Sequence, residues 1–200
     1  MRKSAAKTQA EDRVYQIKVT LRGIRPAIWR RLVVPATIPL GSLHHVLQIA
    51  MGWEGGHMHQ FAVGRDELYG VRDRDFGLSD VKDENRARLD HVLRQEKQAI
   101  VYEYDFGDGW EHEILLEKIL GRSAVDHVPT CTGGKRACPP EDCGGVPGYY
   151  GLLEAIEDRE NPQHAEILEW LDEDFDPEAF DQETVNIHLA ASGRRAGTRA

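Results

Sequence analysis

The block Tyr102-Glu-Tyr-Asp-Phe-Gly-Asp-Gly-Trp-Glu-His112 limits the fold more than any other part of the chain. It lies between two stretches whose side chains alternate in character. Ile100, Tyr102 and Tyr104 share one side on the way in; Trp110, His112, Ile114 and Leu116 share one side on the way out, with Glu111, Glu113 and Glu117 opposite. A period of two belongs to half-buried strands. Asp105 to Gly109 supplies the aspartates and glycines that a tight reversal needs. The block is therefore expected to form an antiparallel hairpin. Its inner face should carry Trp110 and His112 into the interior that also receives the histidines of an earlier strand.

The remaining pattern fills in around that hairpin. Tyr15, Ile17, Val19 and Leu21 alternate with Gln16, Lys18 and Thr20, and Ala27 to Val34 alternates after the turn-forming Gly23 to Pro26, so a second hairpin is expected. Ser42 is read as the cap of a helix with Leu43, Val46, Leu47, Ala50 and Met51 on one face, ending near Gly52-Trp53. His57, His59, Phe61 and Val63 read as one further strand, and 64–83 as a charged surface excursion. Leu89, Val92 and Leu93 suit a short helix. A Cys-, Gly- and Pro-rich loop is expected from Gly121 to Gly148. Three helices should follow: one on Tyr149, Leu152, Leu153 and Ile156, one with Pro162 in its first turn, and one after Asp176-Pro177.

Strands early and helices late predict an α+β fold: a curved antiparallel sheet from the N-terminal two-thirds, packed by helices mainly from 42–53 and 148–190. Residues 1–12 are read as a disordered tail, 13–190 as a single domain and 191–200 as a loose basic tail. No apolar run is long enough to span a membrane, and Met1 to Ala10 lacks the apolar stretch of a secretory signal, so a cytoplasmic location is expected. Three cysteines in such a setting are expected to stay reduced.

Charge is polarised. The net charge is −9, yet residues 1–35 hold nine Lys or Arg against two acids, while 141–183 hold fifteen acids against Arg159. The acidic total counts against a protein that coats DNA by bulk attraction, since phosphate neutralisation needs clustered cations, but leaves room for a local basic patch.

Three sets of residues could carry chemistry. Arg22, Arg25, Arg30 and Arg31 around Trp29 could grip a protein or nucleic-acid partner, or could pair internally with the acidic C-terminal helices. His57 and His59, with Asp105, Asp108 and His112, have the imidazole and carboxylate types of an open metal site. The same aspartates also suit turn capping, and His112 suits a core hydrogen bond. Cys131, Cys138 and Cys143 could hold a structural zinc, although their spacing lacks the close Cys-x-x-Cys pair. Glu141 and Asp142 suit a helix cap. The five serines, Ser4, Ser42, Ser79, Ser123 and Ser192, show no activated setting, which argues against a serine recombinase.

Several of these motifs in order resemble the plasmid pRiA4b ORF-3-like family. They are Arg25-Pro-Ala-Ile-Trp-Arg30, His44-His45, Met51-Gly-Trp53, His57-Met-His-Gln-Phe61, Tyr104 to His112, Cys138-Pro-Pro-Glu-Asp142 with Gly144-Gly145, and Phe175-Asp-Pro-Glu-Ala-Phe180. The resemblance spans roughly residues 13–190 and implies a compact α+β fold. It also implies an association with plasmids and insertion elements, where some members bear a resolvase label, and it implies no defined enzymatic activity. The resulting expectation is a non-enzymatic interaction module that engages its partner through the Arg22–Arg31 hairpin or a groove beside Trp53 and Trp110. A metal-dependent phosphoester hydrolase using the His/Asp set is the alternative.

Overall fold

The computed structural model describes residues 12–73, 80–171 and 175–197, with side chains up to residue 192 in the last segment. Apart from Asp12, the tail expected over 1–12 lies outside the described residues. Among the described residues eight strands make one open, curved sheet: β1 (Arg13–Leu21), β2 (Trp29–Pro35), β3 (His59–Val63), β4 (Glu67–Gly70), β5 (Lys82–Asp83), β6 (Ala99–Tyr104), β7 (Trp110–Gly121) and β8 (Thr130–Lys135). Their order is β5-β4-β3-β6-β7-β1-β2-β8. Every neighbouring pair is antiparallel except β4 with β5, which makes the sheet mixed at one edge. The helices are α1 (Leu40–Met51), α2 (Leu89–Val92), α3 (Gly145–Glu157), α4 (His164–Trp170) and α5 (Gln182–Gly197).

Both expected hairpins form. β6 and β7 pair Tyr104 with Trp110 and Tyr102 with His112, and β1 and β2 pair Ile17 with Leu32. The alternating residues of β1, β2, β6 and β7 point to one face, where Ile17, Val19, Leu32, Tyr102, Trp110 and Ile114 are almost wholly buried. α1 lays Leu40, Leu43 and Leu47 on that core, and Tyr149, Leu152 and Leu189 bring α3 and α5 to it. Burial of each such side chain is worth about 1.5–3 kcal/mol, which is what makes the period-two pattern decisive.

Some boundaries differ from the sequence reading. Pro39, not Ser42, precedes the first turn of α1, and Ser42 lies inside the helix. Gly52 then ends α1 in the left-handed conformation, φ 90°, with its amide on Gln48 O; glycine enters that region without a Cβ clash. Pro162 stands before α4 rather than in its first turn, since the helix starts at His164. α5 starts after Asp181, whose carboxylate accepts from Glu183 N, Thr184 N and the Thr184 hydroxyl. It runs on to Gly197, past the point where the sequence suggested a loose tail. β4 and β5 form within the expected surface excursion, and β8 forms within the expected loop by pairing Leu32 with Cys131.

Candidate functional site: an imidazole among three carboxylates beside an apolar cleft

The Asp105–Gly109 turn is the local cause of the site. Asp105 adopts φ 56°, and its backbone oxygen accepts from Gly109 N at 2.6 Å. Its Oδ1 accepts from Gly107 N at 2.9 Å, an aspartate closing its own turn. Its amide donates to Met58 O at 2.9 Å, which fastens the turn to the segment leading into β3. On the other side the turn meets the start of α3. Asp108 Oδ2 accepts from Gly144 N at 3.1 Å, and a Cβ on Gly145 would collide with the Asp108 carbonyl. Glycine at 145 is therefore what lets the loop carrying Glu141 and Asp142 approach the hairpin.

That loop is held in place by three further bonds. Trp53 Nε1 donates to Pro139 O at 2.9 Å, Glu54 N donates to Glu141 Oε1 at 2.9 Å, and Tyr104 OH donates to Glu141 Oε1 at 3.0 Å. Burial first, then the bonded Glu141 carboxylate, raises the Tyr104 phenol above its ordinary range, so it stays a donor. His57 lies between the three segments. Its Nδ1 is 3.6 Å from Asp105 Oδ2, and its Nε2 is 3.3 Å from Glu141 Oε2 and 3.4 Å from Asp142 Oδ1. His57, Asp105 and Asp142 can each offer one ligand atom within 4.8 Å of the others, so the group could hold a metal ion.

The expected His57–His59 pair does not converge on this point. β3 begins at His59, so His57 precedes the strand and the two rings serve different groups. His59 Nε2 bonds Glu84 at 2.8 Å, and its ring stacks on His44 at 3.6 Å with the planes 2° apart. His44 Nδ1 and Gln48 Nε2 both meet the Tyr102 hydroxyl, at 2.7 and 2.8 Å. Burial, followed by the neighbouring His59 and His45, pushes the His44 pKa down to about 3. His112 faces the same interior as expected, fully buried, with Nδ1 against Tyr102 O at 3.2 Å and its ring edge-on to Trp53. Burial lowers its pKa to about 4. It is a neutral core imidazole outside the His57 group. Asp108, bonded to Gly144, is outside it too.

The arginine hairpin is largely committed within the chain. Arg30 is 3% exposed and donates to Ala50 O, Trp29 O and Lys135 O, with its guanidinium 4.1 Å over the Phe180 ring. It cannot reach a partner from there. Arg31 forks onto Glu117 at 2.7 and 2.9 Å, and this bond holds the carboxyl below its usual range. Arg22 pairs with Glu111 and Glu113, and Trp29 is covered by Lys18 and Arg31. Arg25 stays exposed, its amide donating to Tyr150 OH. The cysteines are likewise apart. Cys138 contacts Arg30 and Met51, and Cys131 bonds Gly133 O. Among the described residues no group that could hold a metal includes any of the three sulfurs. Burial raises the thiols, Cys138 to about 11 and Cys143 to about 12, so neither is an activated nucleophile.

Beside the carboxylate group opens a cleft of ≈ 500 Å³. One wall is the end of α1 with Trp53, the next is the loop from Ala137 to Glu141, and the third is Trp170, Leu171, Phe175, Phe180 and Val185 from the α4 and α5 region. Glu141 belongs to both features. The sequence reading placed a groove beside Trp53, but the far wall was beyond it. Trp170, an aromatic set in a stretch rich in acids, is the sequence signal that could have pointed there.

The chain belongs to the plasmid pRiA4b ORF-3-like protein family, whose model matches residues 13–184. It is 38% identical over 190 residues to the uncharacterized protein y4hQ of Sinorhizobium fredii (strain NBRC 101917 / NGR234), covering 93% of this chain and 97% of that one. Among solved structures it is similar to the protein of unknown function MM3350 from Methanosarcina mazei Go1. That match has a TM-score of 0.77 and 38% identity, and covers 86% of this chain and 96% of that chain. The solved relative shares the fold, and neither name carries an activity. Among the described residues no helix is long and apolar enough to cross a membrane.

Proposed function

We propose that residues 13–190 act as one interaction module that binds a protein partner through the Trp53–Trp170 cleft. The bound segment would bring an aromatic or aliphatic anchor flanked by Lys or Arg. The observation that carries this reading is the cleft itself: an apolar space of ≈ 500 Å³ with Trp170, 51% exposed, on its rim. Ligand pockets of about 300–1,000 Å³ with mostly apolar walls and a few polar groups are typical of specific binding sites, and exposed tryptophan at such a rim is a favoured anchor. Charge chooses between partner classes. The charged residues that line the cleft are Glu141, Asp181 and Arg30, and Arg30 is committed to backbone carbonyls and Phe180, so the free charge favours cationic peptides over phosphate backbones. The internal commitment of Arg22, Arg30 and Arg31 supports the same choice.

The hydrolase alternative has less support, because His59, Asp108 and His112 each serve other partners. A peptide library with basic and apolar positions, read by fluorescence polarisation, tests the reading. Binding should weaken at least about tenfold in Trp170→Ala, a change of about 1.4 kcal/mol, and should weaken as salt is raised. Binding that ignores both changes would overturn it.

A further inference from the structure

We propose that His57, Asp105 and Asp142, joined by Glu141, hold one divalent cation that fastens the Pro139–Asp142 loop to the β6–β7 turn. The inference concerns metal occupancy and stands whether or not the cleft takes a peptide. Two independent observations carry it. The first is spacing. Metal bonds of about 2.0–2.2 Å to nitrogen and oxygen set ligand atoms of one ion roughly 3–4.4 Å apart. One nitrogen of His57 can serve one ion, and one ligand atom from each of His57, Asp105 and Asp142 lies within 4.8 Å of the others, slightly wider than that range. The ring now stands between the carboxylates, facing Asp105 with one nitrogen and Glu141 and Asp142 with the other. One ion takes only one of the two nitrogens, so binding requires the ring or a carboxylate to turn.

The second observation is a group of carboxylates with no Lys or Arg to balance it. Asp105 is only 7% exposed, and while Oδ1 takes the turn amides, Oδ2 has no donor closer than the imidazole at 3.6 Å, too long for a hydrogen bond. Among the described residues no Lys or Arg pairs with Asp105, Glu141 or Asp142. A buried carboxylate is costly unless it is paired or coordinates a cation. The supports also match what metal ligands require: Tyr104 OH and Glu54 N orient Glu141, and Gly107 N orients Asp105. One imidazole with carboxylates favours a borderline first-row ion such as Zn²⁺ or Mn²⁺ over an all-oxygen Ca²⁺ or Mg²⁺ cage.

The loop so fastened is a wall of the cleft, because Pro139, Pro140 and Glu141 line it. A cation at this point would set the position of that wall relative to the hairpin.

Calorimetric titration of Zn²⁺ and Mn²⁺ into tag-free, chelator-stripped protein tests the proposal. One equivalent of at least one of these ions should bind with a Kd of about 1 µM or tighter. Asp105→Asn keeps an Oδ1 that can close the turn, so the fold should survive, and affinity should fall at least about 10- to 100-fold, the loss that even a supporting partner of a ligand brings. Asp142→Asn, at an exposed position, should weaken binding without touching the core. No binding of either ion, or binding that is unchanged in Asp105→Asn and His57→Gln, would overturn it.

Discussion

His57 and His59 stand two residues apart and live in opposite surroundings. His59 enters a closed interior, where Glu84 at 2.8 Å and the stacked His44 ring take up its polar edge and its face. His57 stops at the rim among three carboxylates, with every contact between 3.3 and 3.6 Å. In the closed region the polar groups have chosen partners at hydrogen-bond distance; among the described residues, Gln48 Oε1 and His112 Nε2 are the exceptions around Tyr102. Such interiors specify one arrangement and resist change. In the open region Glu141 and Asp105 accept from hydroxyl and amide donors, yet among the described residues no Lys or Arg balances the three carboxylates, the condition in which a cation can be gained. The lesson is that residue type alone does not mark a site. The length of its contacts and the absence of a counter-charge do.

This contrast can be broken most sharply at Glu84. Glu84→Ala removes the acceptor of His59 Nε2 at 4% exposure, and leaving that buried donor unpaired should cost about 3 kcal/mol of stability in urea unfolding. A loss under about 0.5 kcal/mol, the level of ordinary surface changes, would show that the interior is not the tightly specified region.

Acid should act next, and again on the closed side. His44 and His112 bind protons in the folded state only near pH 3 and 4, whereas imidazoles of the unfolded chain do so near 6.5. Their folded pKa values are depressed, so stability from these groups is full above about pH 6.5 and falls as the pH drops toward 4. Each should cost about 2 kcal/mol at pH 5 relative to pH 7. Urea midpoints at the two pH values measure the sum, and His112→Phe should flatten the slope. A slope that starts only where carboxylates titrate would contradict neutral buried imidazoles.

The smallest stability effect is expected in the open region. Asp142→Asn should stay within about 0.5 kcal/mol of the parent, because the side chain is 73% exposed and bonds no amide. The same variant should weaken the proposed cation site, so cation binding and stability are expected to separate there as they cannot at Glu84.

How much of this was legible in the sequence follows the range of each interaction. The β6–β7 hairpin announced itself because Tyr102, Tyr104, Trp110 and His112 alternate locally, and their inward placement is borne out. β8 did not, since Thr-Cys-Thr-Gly-Gly-Lys has no apolar alternation and becomes a strand only by completing the edge of β2. β4 and β5 are too short to show a period.

The site was half visible. His57 and Asp105 could be named from the sequence. Asp142 looked like a helix cap, and its role depends on a left-handed backbone at φ 57° and on Gly145 letting the loop meet the turn. His59 was grouped with His57 because alternation continued through both, whereas the ladder starts at His59. From the sequence Arg30 could either grip a partner or pair internally with the acidic C-terminal helices; the structure keeps it internal but gives it backbone carbonyls. Register sends it to the core face, opposite Val19, where the end of α1 and Phe180 receive it. These misses share one cause: each depends on contacts between segments far apart in the chain.

The division between a closed interior and an open carboxylate rim is tested most directly by imidazole nitrogen NMR during addition of Zn²⁺. The His57 resonances should move and saturate at one equivalent while those of His44, His59 and His112 stay in place. Movement of the His44 or His59 signals with His57 unchanged would contradict the account.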